Sequence, residues 1–199
     1  MTTPVALGAA AGIGYLLGSI PTADVAVRLA RSTADLRADG TGNPGAANAA
    51  AVLGRRWGLA ILAVDMGKGA AAGAAGRAVG GPSGAYAAAT ASIIGHIVPV
   101  WSGGRGGKGV ATSAGACLAV FPAYFPIDAA VAVAGAARTR DAERAIRWST
   151  AVWVAASVAW WRRRLPNLWG PEPTAGLPAF AAVGSAVILA KFRASRRAR

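Results

Sequence analysis

The 199-residue chain is 54% hydrophobic and only 15% charged, with a mean hydropathy of +0.42 and a net charge of +13. A water-soluble domain carries about 25% charged residues, so this balance argues against one and for a chain that crosses a membrane. The lone cysteine, Cys117, can close no intrachain disulfide, and one cysteine with one histidine, His96, indicates no metal site.

The apolar segments predict an all-α, polytopic helical bundle with about six to seven transmembrane helices, some of them short, in one membrane domain over 1–199. The first apolar run, 5–29, is interrupted by Gly18-Ser19-Ile20-Pro21 and by Asp24. Pro21 should kink that helix or end its regular part. Residues 1–18 lack the basic leading region of a cleavable signal peptide. A polar connection follows at about 30–56. The next span, 57–79, holds Asp65 and Lys68, which share a helix face three residues apart and can neutralise each other. A lone charge at mid-membrane depth costs about 2.5–3.5 kcal/mol on insertion scales.

A short span is expected at 84–101, two further apolar runs at 110–121 and 125–137, and final spans at 147–161 and 174–190. The runs at 110–121 and 125–137 fall short of the ~20 residues a full crossing needs. Arg28, Arg31, Arg37, Arg55 and Arg56 cluster in the first connection, whereas the next carries only Arg77. The positive-inside rule then puts the first connection in the cytoplasm. With seven spans, the loop around Lys108, the segment 138–147 and the basic tail 191–199 share that side. Arg162-Arg163-Arg164 falls on the other side, among tryptophans that suit a membrane interface. The cations lie between apolar runs rather than on one aromatic-studded face, which disfavours nucleic acid as a partner.

Two glycine-rich tracts stand out. Gly40-Thr41-Gly42-Asn43-Pro44-Gly45 fits the spacing of a dinucleotide fingerprint but has no strand before it. The loop at about 102–109 carries Arg105 and Lys108 among glycines, directly after His96, yet lacks the residues of a Walker loop. Glycines let backbone N–H groups converge on an anion, and the two cations add charge-assisted donors. This is the pattern of a phosphate-binding loop between membrane helices, with His96 beside it as a general base, a phosphate ligand or a helix-end residue.

The order of motifs resembles the bacterial acyl-phosphate:glycerol-3-phosphate acyltransferase family (PlsY). Its G-S-I-P reads here as Gly18-Ser19-Ile20-Pro21. Its first-loop motif D-I-R-x-x-G-S-G-N-x-G-A-T-N reads as Asp35-Leu36-Arg37 through Asn48, and its D-x-x-K-G as Asp65 to Gly69. Its glycine-rich loop reads as Gly95 through Thr112.

The resemblance implies a bundle of about seven membrane helices in the bacterial plasma membrane, with the site at the cytoplasmic face. It implies acyl transfer from acyl phosphate to the 1-hydroxyl of glycerol 3-phosphate, giving lysophosphatidate for phospholipid synthesis, with no acyl-enzyme, no metal and no other cofactor. The catalytic candidates carried over are Thr41, His96, Lys108 and Ser149. Ser19, Gly42, Asn43, Gly45, Asn48, Asp65, Lys68, Gly106, Gly107, Gly109 and Thr112 are the substrate-binding candidates.

At several motif positions the chain departs from the pattern. Thr41 replaces a serine, Ala47 a threonine and Ala51 an arginine, while Phe192 and Ser195 stand where a histidine and an asparagine are expected. A second reading follows: a relative that binds a phosphorylated lipid precursor or a partner acyltransferase without turnover, or that uses another acceptor.

Overall fold

The computed structural model describes residues 2–139 and 142–197. Arg140 and Asp141 of the basic connection and the last two residues of the tail 191–199 therefore lie outside the described residues. Among the described residues the regular structure is helical: α1 (Pro4–Ser19), α2 (Thr22–Leu29), α3 (Ala46–Val52), α4 (Arg55–Ile97), α5 (Val110–Val120), α6 (Phe125–Thr139), α7 (Ala142–Arg163) and α8 (Gly176–Arg197), with a 3-10 turn at Val100–Ser102. Among the described residues, three stretches are long and apolar enough to cross a membrane, Pro4–Leu29, Arg55–Ser102 and Gly176–Arg197; α5 and the apolar part of α6 are shorter, as expected.

Pro21 ends the first helix rather than merely kinking it, because it has no N–H to continue the ladder; α2 starts at Thr22. The spans expected at 57–79 and 84–101 are the two legs of α4. They are separated at Gly80 and at Gly81, whose φ of 57° and ψ of −151° suit only glycine, and Pro82 starts the second leg. The legs fold back on each other: a Cβ at Gly76 would overlap Ala88 and the Gly84 carbonyl. The second leg stops at Ile97, four residues before the expected end, since Pro99 follows.

Close helix approach explains much of the glycine. Lipid tails are as apolar as the helices, so membrane helices associate through small residues that let backbones touch. Gly14 and Gly18 of α1 lie on Ala88 and Ser92, while Gly69 and Gly73 of the first α4 leg lie on Thr112, Ala119 and Val120 of α5. Gly67, two residues from Gly69, faces open space. Gly67→Ala should therefore raise stability by about 0.5–1 kcal/mol through helix propensity. Gly69→Ala drives a methyl into the Thr112 carbonyl and should lower the thermal midpoint in detergent by several degrees.

The polar connections gather at one end. There Arg37 Nε donates to the Arg105 carbonyl (2.9 Å), Lys108 Nζ sits 4.3 Å from the Phe192 ring centre, and Arg196 Nη1 donates to Glu143 Oε2 (2.9 Å). At the other end, Arg77 donates to the Trp169 carbonyl (2.6 Å), and the Tyr86 hydroxyl to that of Glu172 (3.0 Å). The segment after Arg162-Arg163-Arg164 belongs to this second end.

Candidate active site

The glycine-rich loop owes its shape to the end of α4. Gly106 N donates back to the Ile97 carbonyl (3.2 Å). A Cβ on Gly106 would overlap the His96 carbonyl, and one on Gly107 would overlap His96 Nε2, so only glycine lets the chain lie flat there. Gly109, with φ 83°, turns the chain into α5.

Beneath the loop sits a buried charge cluster. Asp65 Oδ1 is 3.0 Å from Lys68 Nζ and 3.6 Å from His96 Nδ1. All three residues are buried. Lys68 also donates to the Ile20 carbonyl (3.2 Å), which the break at Pro21 leaves available. The expected pairing of Asp65 with Lys68 is thus present, and His96 joins it from the opposite leg of the hairpin.

Over the loop lies a fastening that the sequence reading did not include among site residues. The Arg37 guanidinium forks onto Asp24, with Nη1–Oδ1 at 2.5 Å and Nη2–Oδ2 at 3.1 Å, while its Nε holds Arg105. Ser102 Oγ donates to Asp24 Oδ2 (2.9 Å). One arginine therefore ties α2, the first connection and the glycine-rich loop together. Asp24, a charge inside an apolar run, was the available signal; its partner thirteen residues away was not.

Gly18, Arg37, Asp65, Lys68, His96, Ser102, Gly106 and Gly107 are among the residues around a cleft of about 20 Å³, room for roughly one water. Beside it, Arg37, Thr41, Gly42, Asn43, Lys191, Ala194 and Ser195 line a pocket of about 300 Å³. On the other side of the first α4 leg, a cavity of about 410 Å³ is walled mainly by apolar residues, among them Leu62, Met66, Val110, Ala114, Ala132, Trp153 and Ile188. Asp65 and Lys68 face the cleft while Leu62 and Met66 of the same helix face the cavity. Likewise Gly107 lines the cleft and Val110 the cavity. The first leg of α4 and residues 107–110 thus form a partition, polar on one face and apolar on the other.

The family model described as glycerol-3-phosphate acyltransferase matches residues 8–198. The chain belongs to that family. A glycerol-3-phosphate acyltransferase of Cereibacter sphaeroides is 49% identical over 108 residues, covering 54% of this chain and 53% of the relative. The chain thus matches about half the length of that relative. One of Sinorhizobium fredii is 40% identical over 139 residues, covering 70% and 68%. Among solved structures, the integral membrane glycerol 3-phosphate acyltransferase PlsY (YgiH) in its glycerol 3-phosphate form superposes with a TM-score of 0.79. Its identity is 27%, covering 96% of this chain and 90% of that one. The lysophosphatidic acid form gives 0.77 at 26% identity with the same coverage. The chain is an all-α integral membrane protein of this family.

The structure sorts the expected site residues. Asp65, Lys68, His96, Gly106 and Gly107 meet at the cleft; Thr41, Gly42 and Asn43 meet Lys191 and Ser195 at the neighbouring pocket. Lys108 lines neither; its Nζ lies over the Phe192 ring. Gly109 and Gly45 act as helix caps, starting α5 and α3.

Four candidates are placed elsewhere. Ser19 is fully buried between α1 and α4, its Oγ 3.4 Å from the Gly95 carbonyl, and does not line the cleft. Thr112 is fully buried, its carbonyl against Gly69. Ser149 Oγ donates to Asp128 Oδ1 (2.9 Å) on the wall of the apolar cavity, away from the charge cluster. Asn48 is committed to the loop itself: Nδ2 donates to the Leu36 and Asp39 carbonyls (3.0 Å each) and Oδ1 accepts from Thr41 N (2.7 Å). Asn48→Ala leaves those backbone groups without a partner, at about 1–3 kcal/mol for a buried group. A clear fall in thermal midpoint is expected, and glycerol 3-phosphate should not restore it. The departures Ala47 and Ala51 lie one turn apart on α3, both exposed.

Proposed function

We propose that the chain is a membrane acyltransferase that moves a fatty acyl group from acyl phosphate to the 1-hydroxyl of glycerol 3-phosphate, at the cytoplasmic face of a bacterial plasma membrane. The partition at residues 107–110 carries this reading. An acyl phosphate is an apolar chain joined to a dianionic head. It fits a seam with an apolar cavity on one face and, on the other, the cleft and pocket that Arg37 and Lys191 line, with Arg105 and Lys108 flanking Gly106 and Gly107 of the cleft. The cavity takes the chain, and the cationic side takes the phosphate of donor and acceptor. The relatives named glycerol-3-phosphate acyltransferase and the PlsY forms with glycerol 3-phosphate and lysophosphatidic acid supply the acceptor and product.

The hydroxyl oxygen attacks the acyl carbon, the bond from that carbon to the phosphate oxygen breaks, and the hydroxyl proton leaves with the released phosphate. No side-chain nucleophile is needed. Lys108 stabilises the charge that builds on the departing phosphate, and Thr41, Gly42 and Asn43 orient the acceptor, which is catalysis by positioning and preorganised charge. His96, wedged under Gly107 and backed by Asp65 and Lys68, holds the loop in shape. Gly45 and Asn48 do the same for the first loop, while Ser149, Ser19 and Thr112 support the helices around the site.

The test supplies palmitoyl phosphate and radiolabelled glycerol 3-phosphate to the detergent-purified protein. Lysophosphatidate and inorganic phosphate should appear in equal amounts, and palmitoyl-coenzyme A should not substitute. No product above a Lys108→Ala control would overturn the reading for this acceptor. Glycerol 3-phosphate binding without product would then support the non-catalytic relative, a reading that the replacements at Ala47, Ala51, Phe192 and Ser195 favour.

A further inference from the structure

Among the described residues that wall the apolar cavity beside the first α4 leg, Asp128 alone is charged. Helix periodicity puts it there. On α6, Phe125, Asp128, Ala129, Ala132 and Val133 recur at the three- and four-residue spacing of one helix face, and all of them line the cavity. The other members of that face are apolar. α7 supplies Ile146, Ser149, Thr150 and Trp153 at the same spacing.

The polar groups in the wall differ in what they bond. Thr150 Oγ1 donates to the Arg147 carbonyl (3.0 Å) and Ser113 Oγ to the Val110 carbonyl (2.8 Å), so both hydroxyls are engaged on their own helices. Ser149 Oγ instead crosses to Asp128 Oδ1 at 2.9 Å. Asp128 is half-buried and enters no ion pair among the described residues. A carboxylate offers about four lone-pair sites, and a single serine hydroxyl fills one of them. One turn along α7 from Ser149, Trp153 is 5% exposed, and its Nε1–H meets no acceptor among the described residues. The wall therefore holds an acceptor with capacity left over and a donor without a partner, both set among apolar groups, where unmet polar atoms cost free energy.

A plain hydrocarbon answers neither group. A cation would answer the carboxylate and leave the indole N–H unmet, while an anion would be repelled by the carboxylate. A hydroxyl donates and accepts through the same oxygen, and it sits on a hydrocarbon chain without adding charge. We infer that the cavity selects an acyl chain bearing a hydroxyl group along its length, recognised by Asp128 and Trp153, with Ser149 positioning the carboxylate. This rests on the acyltransferase reading for the chain that fills the cavity. Asp128 stands about one turn from both Phe125 and Ala132, within the lining face of α6 rather than at its end. The hydroxyl therefore belongs in the interior of the chain.

The test is a competition. Detergent-purified protein receives glycerol 3-phosphate, palmitoyl phosphate and one hydroxypalmitoyl phosphate, with its hydroxyl either in mid-chain or on the terminal carbon. Mass spectrometry of the two lysophosphatidates gives the ratio of their kcat/KM values. The mid-chain isomer should be preferred over the plain chain roughly 10-fold, the size of one hydrogen bond to a charged group. The terminal isomer should show no such gain. A plain chain used as well as the mid-chain isomer overturns the inference.

In Asp128→Leu the ratio should fall below one, because the hydroxyl is then buried without its acceptor. Asp128→Asn keeps an acceptor oxygen and should retain part of the preference, and Trp153→Phe should lower it about threefold. The ratio does not depend on how much of a sample is active, so a purely structural Asp128 would lower total activity and leave the ratio alone. A ratio unchanged in Asp128→Leu, or in Trp153→Phe should the leucine variant not fold, overturns the assignment. If no acyl phosphate turns over, hexadecyl phosphonate and its mid-chain hydroxylated counterpart are compared by calorimetry. A preference for the hydroxylated chain that Asp128→Asn weakens then sustains the inference although the acyltransferase reading has failed. Equal affinities, or no binding of either, overturn it.

Discussion

Replacing Lys108 by alanine should lower kcat/KM for acyl transfer by about 10²–10³, the range seen when one preorganised donor to a developing negative charge is removed. Lys108 belongs to the stretch along which the lining passes from the cleft, at Gly107, to the apolar cavity, at Val110, and on the proposed function the acyl–phosphate bond lies along that stretch. On the proposed function its hydrogen bonds to the substrate phosphate are charge-assisted, a class that contributes about 1.5–3 kcal/mol each. The side chain is only half-buried, so its truncation should leave the thermal midpoint nearly unchanged, and activity and stability should separate. Lys108→Arg should recover only part of the rate. A planar fork over the Phe192 ring puts its donors in different places from a compact ammonium. Both variants are checked by steady-state kinetics beside thermal unfolding in the same detergent.

The second large effect is expected from the smallest change. Gly106→Ala adds one methyl group where the His96 carbonyl stands, and Gly106 is tied by its N–H to the Ile97 carbonyl at 3.2 Å. Backbone cannot yield as a side chain tip can, so the loop must lift off the end of α4. A displacement of about 1 Å at a positioning element costs on the order of 10²-fold in rate. Activity should fall by that much or more. KM for glycerol 3-phosphate should rise with it, because the same movement carries Lys108 away from its place. Unlike Lys108→Ala, this variant should also melt earlier. Gly103→Ala on the same loop meets nothing within reach of its methyl group. Its φ of 57° makes it mildly strained, and it should cost far less.

The two variants bear on what could be read from residues alone. The helical bundle was legible because the apolar runs and Pro21 are local signals with local causes. The cationic glycine loop was legible for the same reason, and so was the Asp65–Lys68 pair, three residues apart on one helix. What proximity in a motif does not convey is direction. Ser19 sits inside Gly-Ser-Ile-Pro yet points at the Gly95 carbonyl, because successive residues on a helix turn about 100° from one another. Asn48 ends a loop motif and spends its amide on that loop. Ser149 follows a basic connection and reaches Asp128 on a neighbouring helix. Arg37 and Asp24 were each visible as charges, but nothing in their spacing announces that they fork together and fasten the Arg105 carbonyl. That pairing needs the break at Pro21 and the turn of the first connection, both set by tertiary packing.

The partition formed by the first α4 leg and residues 107–110 has a consequence for the fate of an acylated product. A molecule assembled across that wall has its hydrocarbon on one side and its phosphate on the other from the moment the ester bond closes. That is already the posture of a lipid in a leaflet, tail inward and head toward water. On the proposed function, release would then be sideways between helices into the bilayer, with no tumbling and no passage through solvent. On the proposed function the same wall would set the leaflet, since a molecule made on it would enter the membrane from the side on which the glycine-rich loop lies.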